Sequence, residues 1–89
     1  MDSSALRREV VVRQENGLHL IPSSQIAQIA QSFRCDLTLC REGGVPVDAK
    51  SMMDLLTLAA EKGTRLTVEG QGEGAEEAVQ ALVAWFETP

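Results

Sequence analysis

Aromatic residues are scarce in this chain. Among its 89 residues there is no tyrosine, one tryptophan (Trp85) and two phenylalanines (Phe33 and Phe86), so a core built from it must be mainly aliphatic. Positive charge is scarce too. Eight Lys and Arg stand against thirteen Asp and Glu, a net charge of −5. That balance argues against any general affinity for nucleic acid or an anionic membrane surface. No apolar run approaches the ~20 residues of a membrane span, and the stretch from Met1 to Glu9 has no apolar h-region. Neither membrane insertion nor a secretory signal is expected. Two cysteines make a poor disulfide framework, and Cys35 and Cys40, five apart, would point to opposite faces of one strand. A reduced, cytoplasmic setting fits that usage.

Other absences narrow the chemistry. The chain has a single histidine, His19, with no second histidine, cysteine pair or carboxylate group near it in sequence. A zinc site from Cys35, Cys40 and His19 would need opposite faces of a strand to converge, and its spacing matches no usual pattern. The run Gly70-Gln71-Gly72-Glu73-Gly74 precedes a helix but lacks the Lys-Ser/Thr of a phosphate loop and the spacing of a dinucleotide fingerprint. No Ser-His-Asp or Cys-His arrangement can be assembled from so few residues. Neither metal nor cofactor is expected.

What is present reads as a folded domain. The hydrophobic share is 44%, normal for a globular chain. Eighty-nine residues allow one domain, 1–89, burying roughly 60% of its unfolded surface. Residues 1–5 read as a loose end. Glu9 to Arg13 is β-branched and reads as a first strand. From Ser23 to Phe33, the apolar positions Ile26, Ile29, Ala30 and Phe33 fall on one helical face. Cys35, Leu37 and Leu39 alternate with Asp36 and Thr38 as a half-buried strand. The turn Glu42-Gly43-Gly44 follows, then a second arm through Val45 and Val47 that Pro46 marks as a sheet edge. Ser51 to Ala60 is a second helix with Leu55, Leu56, Leu58 and Ala59 as its apolar stripe, and Gly63 fits its exit. Thr64 to Glu69 is the last strand, 70–74 a flexible connector, and Ala75 to Glu87 the last helix, with Ala75, Ala78, Leu82 and Phe86 on one face. The order β-α-β-β-α-β-α predicts an α+β fold, a two-layer sandwich in which three helices cover one face of a four-stranded antiparallel sheet.

Three places could carry chemistry. His19 sits in Asn16-Gly17-Leu18-His19-Leu20-Ile21-Pro22-Ser23-Ser24, between a strand and a helix. A lone histidine is ordinarily a surface or loop residue. Here Gly17 permits a turn and Pro22 suits a helix's first turn. The imidazole would then lie beside free backbone N–H groups, where an anion is favoured. Ser51 reads first as a helix N-cap, in a capping box with Asp54 in place of the usual Glu. Its hydroxyl would also place a phosphate at the positive end of the helix dipole. Met52 and Met53 cannot both face the core, so one of them is expected at the surface, where a methionine adapts to a partner.

Together these residues resemble the HPr family, the histidine-containing phosphocarriers of the bacterial phosphotransferase system, from about Glu9 to Phe86. Asn16-Gly17-Leu18-His19 followed by Pro22 resembles the family's phosphohistidine motif, Gly-Leu-His-Ala-Arg-Pro. Val47-Asp48-Ala49-Lys50-Ser51-Met52-Met53 resembles its regulatory-serine motif, and Gly63-Thr64-Arg65-Leu66-Thr67-Val68 also matches. The resemblance implies an open-faced β-sandwich. It implies that His19 accepts a phosphoryl group on Nδ1 from phospho-enzyme I, charged by phosphoenolpyruvate, and passes it to an enzyme II A-type domain. It implies regulation at Ser51 by an HPr kinase, and a partner-docking patch that includes Leu20, Ile21, Met52, Met53 and Leu56. Several positions depart from the pattern, among them Gln28 and Gln31, where relatives often carry lysines, and Asp54, whose charge would repel a phosphoserine at Ser51. Ile21 stands where the family has arginine, and Leu20 is larger than the usual small residue. A second reading follows from those departures: a regulatory or interaction module with this fold and little phosphotransfer. A third is a small-ligand binder known by fold analogy alone.

Overall fold

Alternation along three of the strands decides which face of the sheet is dry. The computed structural model describes residues 5–88. Its elements are β1 (Leu6–Val11), α1 (Leu20–Gln31), β2 (Asp36–Arg41), β3 (Val47–Asp48), α2 (Met52–Thr57), β4 (Arg65–Gln71) and α3 (Ala75–Glu87). The strands form one antiparallel sheet in the order β1-β4-β2-β3. Val10, Leu37, Leu39, Leu66 and Val68 are buried on one face. The intervening Glu9, Thr38, Cys40, Thr67 and Glu69 lie on the other and remain exposed or half-buried. Period-two side chains on a pleated strand produce this division. The helices cover the apolar face. α3 packs on β1, β4 and β2, and α1 packs on both other helices. This is the α+β two-layer sandwich that the chain order predicts.

The element ends differ from the sequence reading, each for a tertiary reason. β1 begins at Leu6 rather than Glu9, because β4 pairs with it from Leu6↔Gly70 to Val11↔Arg65. Arg7 and Glu69, opposite in that register, form an ion pair at 3.3 Å. α1 begins at Leu20, three residues before Ser23, and ends at Gln31. β4 extends to Gln71, so Gly70 is ladder rather than connector. A Cβ at Gly70 would come within 2.7 Å of Val79 Cγ2 on α3. The bare backbone is what lets that helix lie close to the sheet. β3 is two residues long, and Val45 and Pro46 are left outside it and exposed.

α2 is the largest departure. It closes at Thr57 with Leu58 as C-cap instead of running to Ala60, and Gly63 lies in the following turn rather than at the helix exit. Ala59 adopts a left-handed conformation, φ 49°, and is exposed, so it is no part of the apolar stripe. Leu55 and Leu58 are buried, and Leu56 is half-buried. Except for Ala5, the loose end expected over residues 1–5 lies outside the described residues. Among the described residues, no helix is long and apolar enough to cross a membrane.

Candidate functional site

His19 is the N-cap of α1, with extended backbone (φ −80°, ψ −161°). Serine, threonine, asparagine and aspartate usually fill that position because their side chains accept a bond from the helix's free N–H groups. The imidazole makes no such bond and is exposed. Among the described residues, no hydrogen bond or ion pair engages it. The backbone does the capping's other half, with the Ser23 N–H donating to the His19 carbonyl at 3.0 Å. Leu20 and Ile21 occupy the first two helical positions, so their N–H groups have no intrahelical acceptor. Pro22 at the third has no N–H to satisfy. No acidic side chain in the helix's own first turn offsets the positive end of its dipole beside His19.

The segment before His19 is held from two sides. Ser23, fully buried, donates its hydroxyl to the Leu18 carbonyl at 3.0 Å. The Leu18 N–H donates to the Ala60 carbonyl at 2.9 Å. Gly17 has φ +74°, and a Cβ there would overlap that same carbonyl oxygen. Glycine is thus required both by conformation and by the closeness of the 58–60 turn. That turn is itself tied to the sheet. Arg41 Nη1 donates to the Leu58 carbonyl at 2.6 Å and to the Ala59 carbonyl at 3.4 Å. Ser23, Arg41 and Ala60 were not singled out by the sequence. They act through backbone carbonyls on distant segments, and no local motif reports that.

Ser51 is the N-cap of α2, and its hydroxyl accepts the Asp54 N–H at 3.1 Å. Half of the expected capping box forms. The Ser51 N–H goes to the Asp48 carbonyl at 3.1 Å instead of a side chain. Gln31 Nε2 donates to the Lys50 carbonyl at 2.9 Å, and Lys50 Nζ to the Phe33 carbonyl at 2.8 Å. The end of α1 therefore meets the start of α2, while Leu18 meets Ala60. The two helices run antiparallel, and His19 and Ser51 lie at opposite ends of a pair roughly 18 Å long, the length of a twelve-residue helix. The structure does not bring them together. Met52 is partly buried against the core, and Met53 is 68% exposed. Leu20 and Ile21 are 56% and 63% exposed. Leu56, one turn beyond Met53 on α2, is nearer the His19 end.

The imidazole is thus exposed at a helix start, makes no side-chain cap bond, and is carried on a segment held from two sides. A family described as "PTS HPr component phosphorylation site" matches residues 6–88. The phosphocarrier protein HPr of Vibrio cholerae is 40% identical over 77 residues, covering 86% of this chain and 89% of that one. The HPr-like protein Crh of Bacillus subtilis is 37% identical over 82 residues, covering 92% and 95%. A crystal structure of a phosphocarrier protein HPr from Bacillus anthracis superposes with a TM-score of 0.88 at 33% identity, covering 94% of this chain and 99% of that one. The chain belongs to the HPr family, the phosphocarriers of the phosphotransferase system.

Proposed function

We propose that His19 carries the phosphoryl group. The observation that supports this is the unused imidazole at the α1 N-cap, beside two N–H groups without helical acceptors and with no acidic side chain in the first turn. In the step proposed, the Nδ1 lone pair attacks the phosphorus of phospho-enzyme I. A nitrogen–phosphorus bond forms on His19 as the donor's bond to its own nitrogen breaks. The helix dipole and the Leu20 and Ile21 N–H groups stabilise the added charge. The group then passes to an enzyme II A-type domain, in service of sugar uptake in the cytoplasm. Leu20, Ile21, Met53 and Leu56, with the more buried Met52, form the docking surface for these partners. Ser51 is the site of an HPr kinase in the same proposal. Asp54 lies in the first turn of α2 and would meet a phosphoserine with like charge.

The test is intact-mass measurement after incubation with the cognate enzyme I and phosphoenolpyruvate. One added phosphate is expected, lost in acid, stable in base and absent in His19→Ala. No mass shift would favour a second reading, a regulatory or interaction module. Ile21 favours that reading, because a 63% exposed isoleucine offers an apolar contact in place of a phosphate partner. A relative of known structure is Crh, the Bacillus subtilis catabolite repression HPr, so the fold also occurs in a protein named for regulation.

A further inference from the structure

Arg41 closes β2, at the end of the sheet where the 12–19 and 58–64 segments meet. Its register partner on β4, Leu66, is buried, so the arginine stem starts on the helix-covered face. From there the guanidinium reaches two successive carbonyls, Leu58 at 2.6 Å and Ala59 at 3.4 Å. These carbonyls lie just past the last turn of α2, where no further helical N–H follows and where the dipole favours a cation. The second of the two residues is strained. Ala59 holds φ 49° although its Cβ disfavours that region. A strained residue keeps its conformation only when its surroundings over-determine it. The next carbonyl, Ala60, accepts the Leu18 N–H and is the oxygen against which Gly17 lies. His19 follows directly.

We infer that Arg41 is a positioning residue for His19: it clamps the strained 58–60 turn, and that turn fixes the Gly17–Leu18 backbone from which the imidazole projects. The consequence for phosphoryl transfer rests on the phosphocarrier reading above, whereas the consequence for the loop does not. Without the guanidinium, Ala59 relaxes toward a right-handed conformation, the Ala60 carbonyl swings, and the Leu18 bond opens more often. The sheet and α3 are not involved in that opening.

The experiment is amide hydrogen exchange by NMR on Arg41→Met, which keeps an apolar stem of similar length, and on Arg41→Lys. Leu18 reports the loop, and Leu82, fully buried in α3, reports global opening. Leu18 exchange in Arg41→Met should rise by roughly tenfold relative to Leu82. Arg41→Lys should fall between it and the parent. Adding Ala59→Gly to Arg41→Met removes the Cβ that drives the relaxation, so it should restore most of the Leu18 protection. Equal acceleration at Leu18 and Leu82, or none at Leu18, overturns the inference, as does a double variant without rescue. With phospho-enzyme I as donor, Arg41→Met should lower kcat more than it raises KM, since the exposed docking side chains are untouched. A rise in KM alone would also overturn it. Faster Leu18 exchange in a protein that never takes up phosphate would leave the clamp standing and remove the phosphocarrier reading instead.

Discussion

Ile21 is the second residue of α1, 63% exposed, two positions beyond His19. It has neither charge nor donor to offer a phosphate at the same helix start. An arginine there would add charge-assisted hydrogen bonds worth ~1.5–3 kcal/mol when well formed. It would also place a cation at the positive end of a helix dipole, which costs about 0.3–1 kcal/mol before any phosphate arrives. That cost is present with and without phosphate and so cancels in the phosphorylation equilibrium, and for a side chain this exposed the gain from the phosphate contact falls to about 1 kcal/mol or less. Ile21→Arg should therefore raise the phosphorylated fraction at fixed phosphoenolpyruvate/pyruvate ratio by a few-fold, and slow hydrolysis of the purified phosphoprotein. If both quantities match the parent, side chain 21 does not share the phosphate's space. Weaker binding of a natural partner by the same variant would mark Ile21 as a contact in its own right. At this scale His19 was readable because it is unique and lies between Gly17 and Pro22. Its supports were not, because Ser23, Arg41 and Ala60 meet the loop through main-chain oxygens.

The short helix α2 shows what fixes an element and what only fills it. Six residues cannot sustain a helix by propensity. Ser51 closes one end through the Asp54 N–H, and Arg41 closes the other through the Leu58 and Ala59 carbonyls. Leu55, fully buried, anchors the middle. Replacing Ser51 with alanine should lower stability by roughly 0.5–2 kcal/mol, the usual cost of an N-cap. Urea denaturation followed by Trp85 fluorescence would measure it, and an unchanged midpoint would mean that Lys50 and its bonds to α1 set the helix start unaided. The start of α2 was legible in sequence for the same reason: a cap is local chemistry. Its end was not. The apolar pattern continues through Leu58 and Ala59, and periodicity alone carries the helix on to Ala60. The chain turns earlier because the Ala60 carbonyl is engaged by Leu18 and the two before it by Arg41. Pro22 does lie in the first turn of α1, but the two residues before it are hidden from the apolar pattern. Leu20 and Ile21 are exposed, so they add nothing to the buried stripe by which the helix is recognised. The long apolar face of α3 left less room for error, and its span from Ala75 to Glu87 agrees with the pattern.

Across the whole molecule, β4 is the strand that ties sheet and helix together, whereas Leu20 and Ile21 beside His19 are among the exposed large apolar side chains. β4 pairs with both β1 and β2 and carries α3 across its buried face. Gly70 marks the closest approach of helix and sheet. A Cβ there would meet Val79 Cγ2 at 2.7 Å, Leu37 Cδ2 at 3.2 Å and Ala75 Cβ at 3.4 Å. Gly70 lies near the far end of β4 from Thr64, whose carbonyl accepts the Val12 N–H where β1 leads into the His19 loop. Gly70→Ala should cost about 1–3 kcal/mol by overpacking. That is a large part of the ~5–15 kcal/mol that holds a small domain folded. Because the clash is chiefly with one methyl, Val79→Ala should recover part of the loss. The double variant would then be less destabilised than the sum of the two single ones, a coupling that a double-mutant cycle in urea reads directly. Additive losses would mean that α3 moves off the sheet as a body instead of yielding at Val79. Such a shift would also reach α1, since Trp85 Nε1 donates to Gln25 Oε1 at 3.2 Å across the two helices. If α3 stays in place, the folded fraction of Gly70→Ala should accept phosphate at the parent rate. A slower rate per folded molecule would show that the packing of α3 on the sheet reaches the His19 loop through α1.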